Sequence, residues 1–271
     1  MSDIYKECGK ADEAINRLIR ITEILRRECP WDNSQTHESL RAGMIEEAYE
    51  VCDAIDRGNA ENLEEELGDV LLQVVFHSIL AEESSRFDFV SVINKECEKL
   101  IRRHPHVFLK ENVKSIDKAM EKWENVKRKE QDGTLHSQRL KAIPQALPAL
   151  IRSYKIQAKA AEAGFDWDDA SGAFMKIEEE TEELKQAYEN GYSSGLFEEM
   201  GDLLFSVVNV ARFLKVNPEQ ALNATSAKFI KRFTCIEEMV YEQGDGLEGK
   251  TLEEMDALWE EVKRREKQDS V

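Results

Sequence analysis

Along most of the chain, apolar residues recur every three or four positions, the period of a helix with one buried face. Ile45, Ala48, Tyr49, Cys52 and Ile55 mark one such face, and Leu63, Leu67, Val70, Leu71, Val74 and Ile79 mark that of the next helix. Phe174, Ile177, Thr181, Leu184 and Tyr188 repeat the first pattern. Leu196, Met200, Leu203, Leu204, Val207 and Ala211 repeat the second. Val- and Ile-rich runs with a period of two are missing, and Gly and Pro fall between the helical blocks. The pattern predicts an all-α fold.

The blocks also repeat as a set. Residues 65–75 read EELGDVLLQVV and residues 198–208 read EEMGDLLFSVV, while 123–130 read WENVKRKE and 259–266 read WEEVKRRE. Pro30-Trp31-Asp32 is echoed by Asp166-Trp167-Asp168. Each copy therefore predicts an aromatic loop, two acidic helices, a basic helix and a terminal helix carrying a Trp. Gln131-Asp132-Gly133-Thr134, followed by Pro144 and Pro148, reads as a linker. The expected organisation is an N-terminal module over 1–130, a linker over 131–148 and a C-terminal module over 149–271.

A chain of 271 residues can build two modest domains, each with its own core. The net charge of -18 repels nucleic-acid backbones and anionic lipid surfaces, so neither nucleic acid nor membrane is an expected partner. A polyanionic ligand would need a metal ion or a local group of Lys and Arg. The longest apolar run, near Val70 to Phe76, is interrupted by Gln73 and is too short to span a bilayer. Asp3, Lys6, Glu7 and Lys10 break the N-terminal stretch, which does not resemble a signal peptide. Five scattered cysteines without a C-x-x-C pair fit reduced thiols, and the expected location is cytoplasmic.

The candidate chemistry lies in carboxylates. Glu46, Glu47 and Glu50 share one helix and Glu66 and Asp69 the next; their counterparts are Glu179, Glu180 and Glu183, then Glu199 and Asp202. Residues three apart on a helix point in nearly the same direction. Two such helices packed antiparallel can therefore bring four carboxylates together. Their mutual repulsion opposes folding unless a cation is present. Oxygen-only ligands suit a hard ion such as Mg2+, with Mn2+ able to substitute.

A lone E-x-x-E is usually a solvated acidic face, but three features argue for more here. Sixteen positions separate Glu50 from Glu66, and the same number separates Glu183 from Glu199. Gly68 and Gly201 both sit mid-helix beside the Asp, where Gly costs about 1 kcal/mol relative to Ala. Both glycines predict a close approach by another helix or by a ligand. A basic set accompanies the acids: Lys228 and Arg232 are four apart, and Lys263 lies one turn beyond Trp259, as Lys99, Arg103, Trp123 and Lys127 do in the first copy. Carboxylates for metal, cations for phosphate and an aromatic for a base make a coherent nucleotide site.

The order E-E-x-x-E, a spacer, then E-x-x-D resembles the MazG family of nucleoside triphosphate pyrophosphohydrolases. The resemblance covers nearly the whole chain, including Cys29-Pro30-Trp31-Asp32, the Arg102 to Phe108 segment RRHPHVF, and Gly164-Phe165-Asp166-Trp167. It implies two tandem all-α modules of the helical NTP pyrophosphatase type, a homodimer, and hydrolysis of ATP and other NTPs to NMP and pyrophosphate, in nucleotide-pool housekeeping. By position it implies metal ligands at Glu180, Glu183, Glu199 and Asp202, with Glu47, Glu50, Glu66 and Asp69 as the first-copy set. It places the nucleotide against Lys228, Arg232, Trp259 and Lys263. Mg2+ would neutralise developing charge and activate water, which Glu179 would orient. The alternative is a catalytically inactive helical nucleotide sensor or protein-interaction scaffold. The dense acidic stretch from Glu178 to Glu183 and the Gly-rich segment 244–249 favour the C-terminal copy as the active one.

Two other signals are discounted. Residues 244–251, GDGLEGKT, satisfy the spacing of a phosphate-binding P-loop. A P-loop follows a buried strand, however, whereas Ile236 to Tyr241 continues a charged helical pattern. The histidines His37, His77, His104, His106 and His136 include no H-E-x-x-H, and His77 reads as a core residue.

Overall fold

The computed structural model describes residues 2–109, 115–130, 133–191, 193–242, 244 and 246–269. Gln131 and Asp132 of the expected linker, and Asp245 of the Gly-rich segment, lie outside the described residues. Among the described residues every regular element is helical. None of these helices is long and apolar enough to cross a membrane. The chain divides into two compact units, residues 1–132 and 133–271.

In the N-terminal unit, α1 (Ala11–Glu28) and the short α2 (Pro30–Ser34) precede a hairpin of α3 (Arg41–Arg57) and α4 (Ala60–Glu83). The hairpin turn is written in two residues. Gly58 ends α3 in the left-handed region at φ 64°, and its N–H donates to Ile55 O at 3.0 Å. Asn59 starts α4, its Oδ1 accepting the Asn62 N–H at 3.2 Å. The unit continues with α5 (Phe89–Arg103), α6 (Pro105–Phe108) and α7 (Ile116–Lys129). Leu40, Phe76 and Leu80 form a buried core cluster.

In the C-terminal unit, α8 (His136–Lys141) and α9 (Ala149–Ala161) lead into α10 (Ala170–Glu189) and α11 (Ser193–Phe213). Helix α8 falls inside the segment read as a linker and packs on α9, with Ile143 buried just beyond it. Asp169 caps α10 by accepting the Ser171 N–H at 2.7 Å. α10 and α11 pack together, and α9 packs against α11. α12 (Pro218–Glu242) and α13 (Leu252–Asp269) pair around buried Ile236, Val240 and Val262. The P-loop-like segment follows helix α12, contains a 3-10 turn at Leu247–Gly249, and enters α13 without a strand among the described residues.

The apolar stripes do not all face the core as their period predicts. Tyr49 and Ile55 on α3, Leu67 on α4, Phe174 and Tyr188 on α10, and Met200, Leu204 and Val207 on α11 are exposed. Ala54, Val75, Phe76, Val208 and Val210 are buried instead. These helices are apolar on more than one side, and the exposed residues lie on sides that their own unit leaves uncovered. Of the two reasons expected for the mid-helix glycines, approach by a helix is not the one found among the described residues: a Cβ at Gly68 or Gly201 would meet nothing within 4 Å.

Candidate active site

The α10–α11 hairpin brings one carboxylate oxygen each from Glu180, Glu199 and Asp202 to within 4.8 Å of one another, and does the same for Glu179, Glu180 and Glu183. Residues three apart stack on one helix face, and the hairpin sets two such faces against each other. The charge concentration shows in Glu199, whose carboxyl is pushed above its usual range by burial first and then by Glu183, Glu180 and Asp202.

Glu180 is the deepest of these acids, 4% exposed. Its Oε1 lies 2.5 Å from the Lys176 ammonium one turn earlier on α10, and its buried Oε2 has no partner. Lys176 also donates to Glu179 Oε1 at 2.8 Å, and Glu179 and Glu180 together hold its ammonium above the ordinary lysine range. A buried carboxylate oxygen without a donor is costly unless a cation completes its shell. The donor set is all oxygen, converges on a few ångströms, and leaves one buried lone-pair site open. It fits a hard divalent cation.

Beside these carboxylates the C-terminal unit contains a cavity of about 580 Å3. That volume is in the range of small-molecule sites. Lys176, Glu180 and Asp202 line it together with Gln157, Trp167 and Asn209, so the acids and the cavity are continuous. The Trp167 ring is seated against the start of α10, where a Cβ at Gly172 would overlap it. Its loop is held by an ion pair: Asp166 accepts from the Arg212 guanidinium at 2.8 and 2.5 Å. Arg212 Nε also donates to Asn209 Oδ1 at 2.9 Å. Gln157 Nε2 donates to Phe205 O at 2.8 Å, and the buried Gln157 Oε1 has no partner.

The N-terminal unit repeats the acids without the cavity lining. Glu47, Glu66 and Asp69 gather within the same 4.8 Å limit. Burial, a hydrogen bond with Glu50 and the charge of Asp69 raise Glu47; burial and Glu50 lead the rise at Glu66. At the repeat positions of Ser206, Asn209 and Arg212 stand Gln73, Phe76 and Ile79, of which Phe76 and Ile79 belong to the core. Gly43 stands where the second copy has Lys176, and a Cβ on it would lie 3.1 Å from Gln73 Nε2.

The candidate basic set lies on α12 and α13, and none of its four residues lines the cavity. Arg232 is 2.7 Å from Glu266 and stacks over Trp259 at 5.5 Å from the ring centroid, while Trp259 also packs on Phe229. Lys228 is exposed and Lys263 pairs with Glu260 at 2.6 Å. The first unit repeats the motif, with Arg103 over Trp123 at 5.6 Å and paired with Glu130 at 2.7 Å.

Gln157, Lys176, Ser206, Asn209 and Arg212 were not singled out from the sequence. The signal was present: Asn209 and Arg212 put polar groups where the first copy of the repeat has Phe76 and Ile79.

Comparison with known proteins identifies the family. The model of the MazG nucleotide pyrophosphohydrolase domain matches twice, at residues 35–108 and 160–234. The chain is 46% identical over 260 residues to a nucleoside triphosphate pyrophosphohydrolase/pyrophosphatase MazG of Thermotoga maritima, covering 95% of this chain and 98% of that protein. It is 40% identical to a nucleoside triphosphate pyrophosphohydrolase of Escherichia coli, covering 93% of this chain and 98% of that protein. It is also 45% identical to an uncharacterized Bacillus subtilis protein, YabN, over 88% of this chain and 49% of that protein. With two matched domains and relatives aligned over nearly their full length, the chain belongs to the MazG nucleotide pyrophosphohydrolase family.

Proposed function

We propose that the C-terminal unit hydrolyses nucleoside triphosphates, ATP among them, to the monophosphate and pyrophosphate. A divalent cation, Mg2+ or Mn2+ in its place, would be held by Glu180, Glu183, Glu199 and Asp202. The observation that carries this reading is a single cavity lined both by an aromatic ring, Trp167, and by the metal-type carboxylates Glu180 and Asp202. The names of the Thermotoga and Escherichia relatives support the same substrate class.

The cation supplies charge neutralisation on the phosphate chain and lowers the pKa of water. The other roles fall to the chain's own residues. Trp167 offers a flat face for the base, a role that moves here from Trp259, whose ring is already engaged by Phe229 and Arg232. Lys176, already among the acids, can turn its ammonium to a phosphate oxygen. Glu179 is exposed beside Glu180 and orients the attacking water. Lys228, Arg232 and Lys263 remain the proposed cationic contacts to the outer phosphates.

The exposed stripe Met200, Leu204 and Val207, spaced four and three apart on α11, supports a homodimer in which a second copy covers it. The net charge of -18 argues against nucleic acid or anionic membrane as partner. A housekeeping role in the cytoplasm fits these properties.

The test is incubation of purified protein with each NTP and Mg2+ in water enriched in heavy oxygen, with products separated by ion exchange. The expected products are NMP carrying the label and unlabelled pyrophosphate. Release of NDP and orthophosphate would overturn the reaction, and full turnover in EDTA would overturn the metal.

A further inference from the structure

The cavity beside the carboxylates carries two amide side chains whose orientations are set by their partners. An arginine can only donate hydrogen bonds, so the Asn209 oxygen must face Arg212 Nε, 2.9 Å away. That orientation turns Asn209 Nδ2, a donor, away from Arg212, with one lone pair of Oδ1 still unused by that bond. A backbone carbonyl can only accept, so Gln157 Nε2 must face Phe205 O, 2.8 Å away. That leaves Gln157 Oε1, an acceptor, beside the second N–H of its Nε2. Both residues are over nine-tenths buried, at 6% and 8% exposed for Gln157 and Asn209, and both line the cavity. Gln157 Oε1 is buried with no partner at all. An interior acceptor left unsatisfied costs stability in the free protein, and a ligand N–H would remove that cost.

Neither amide is free to turn. Arg212 is pinned by both oxygens of Asp166, one residue before Trp167. One ion pair thus holds the aromatic wall of the cavity and, through Arg212 Nε, the sense of the Asn209 amide. The first copy has Phe76 and Ile79 at the positions of Asn209 and Arg212, so the arrangement belongs to the second copy alone.

We propose that Gln157 and Asn209 read the hydrogen-bonding edge of the nucleobase, Gln157 Oε1 accepting an N–H from the base and Asn209 Nδ2 donating to the acceptor beside it. The proposal rests on the reading of this cavity as the nucleoside site and adds what the site selects. A donor next to an acceptor is the element that all four standard bases share: the exocyclic amine and ring nitrogen of adenine and cytosine, and the ring N–H and carbonyl of guanine and uracil. The pair therefore admits every standard base and rejects bases whose edge has lost its N–H. Arg212 and Asp166 are positioning residues for this pair. Rejection by an unpaired buried polar group is stronger than rejection by size alone.

The experiment compares kcat/KM for ATP with that for purine riboside triphosphate, which lacks the amine, and for UTP with that for 3-methyluridine triphosphate, whose ring N–H is blocked. Wild-type protein should favour ATP and UTP on the order of 10-fold or more, mainly through KM. In Gln157→Leu both preferences should fall to near unity through loss on the standard substrates. Arg212→Met, which leaves the Asn209 amide free to turn, should weaken both preferences while sparing Mg2+ binding. The wild-type comparison needs no variant to fold. Equal efficiency of each wild-type pair overturns the proposal, as does a preference that survives in well-folded Gln157→Leu. Failure to hydrolyse any triphosphate would instead overturn the substrate reading on which the proposal rests.

Discussion

Lys176 Nζ lies 2.5 Å from Glu180 Oε1, so the protein's own ammonium already sits among the acids proposed to hold metal. It offsets part of their repulsion while one oxygen of Glu180 stays unpartnered. Its competitor is the divalent cation. Replacing Lys176 by Met should therefore tighten binding of Mg2+ or Mn2+ to the nucleotide-free protein, roughly several-fold. Calorimetric titration in the absence of substrate checks this, and weaker metal binding in the variant would contradict it. NTP turnover should fall in the same variant, because Lys176 also lines the cavity proposed to take the nucleotide.

The two copies should be unequal. Asp202→Asn should lower kcat/KM on the order of 100-fold or more, since it would remove a proposed ligand of the proposed cation. Asp69→Asn should cost about twofold or less, because Phe76 and Ile79 stand where the second copy has the polar lining of its cavity. Steady-state kinetics with light scattering for oligomeric state separates catalysis from assembly. Equal losses would mean two working sites or one shared site.

Gly172 leaves room for Trp167, and a Cβ there would overlap the indole near its root, where the ring cannot bend away. Gly172→Ala should cost about 1–3 kcal/mol of stability by overpacking. It should also raise KM for every NTP, because the displaced ring is the proposed stacking face. Thermal melts and KM values on the same preparation test both; an unchanged KM would remove Trp167 from the site.

The Arg103 and Arg102 guanidinium groups hold the Glu130 carboxyl down to about 2, against an ordinary value of 4.5. In the unfolded chain this acid protonates near 4.5; in the folded unit it stays charged to about 2. Its contribution is thus full above pH 4.5 and disappears as pH falls towards 2. Glu130→Gln should lower the melting temperature of the N-terminal unit at neutral pH, and the gap from wild type should close across that window. A gap that stays constant with pH would mean that packing, not charge, holds α5 to α7.

The acids were legible because their spacing and their helix are local properties. Three-residue steps put Glu180 beside Glu183 and Glu199 beside Asp202 on any α-helix. The role of the basic set was less legible. Lys228, Arg232, Trp259 and Lys263 suggest a phosphate and base site by type alone. Folded, Arg232 already has Glu266, and Trp259 packs on Phe229. A partner thirty-four residues away along the chain cannot be read from spacing.

The sequence by itself determined the helices, the duplication and the family, since these rest on periodicity and motif order. Tertiary structure decided that the second copy's acids meet a cavity walled by Trp167. Asn209 and Arg212 fall on a stripe of α11 that reads as apolar in the first copy, and only packing against α9 and the Trp167 loop turns that stripe into a cavity wall. It also decided which amide atoms remain available there. That choice depends on Arg212 meeting Asp166 and Gln157 meeting Phe205, contacts 46 and 48 residues apart that no local pattern encodes.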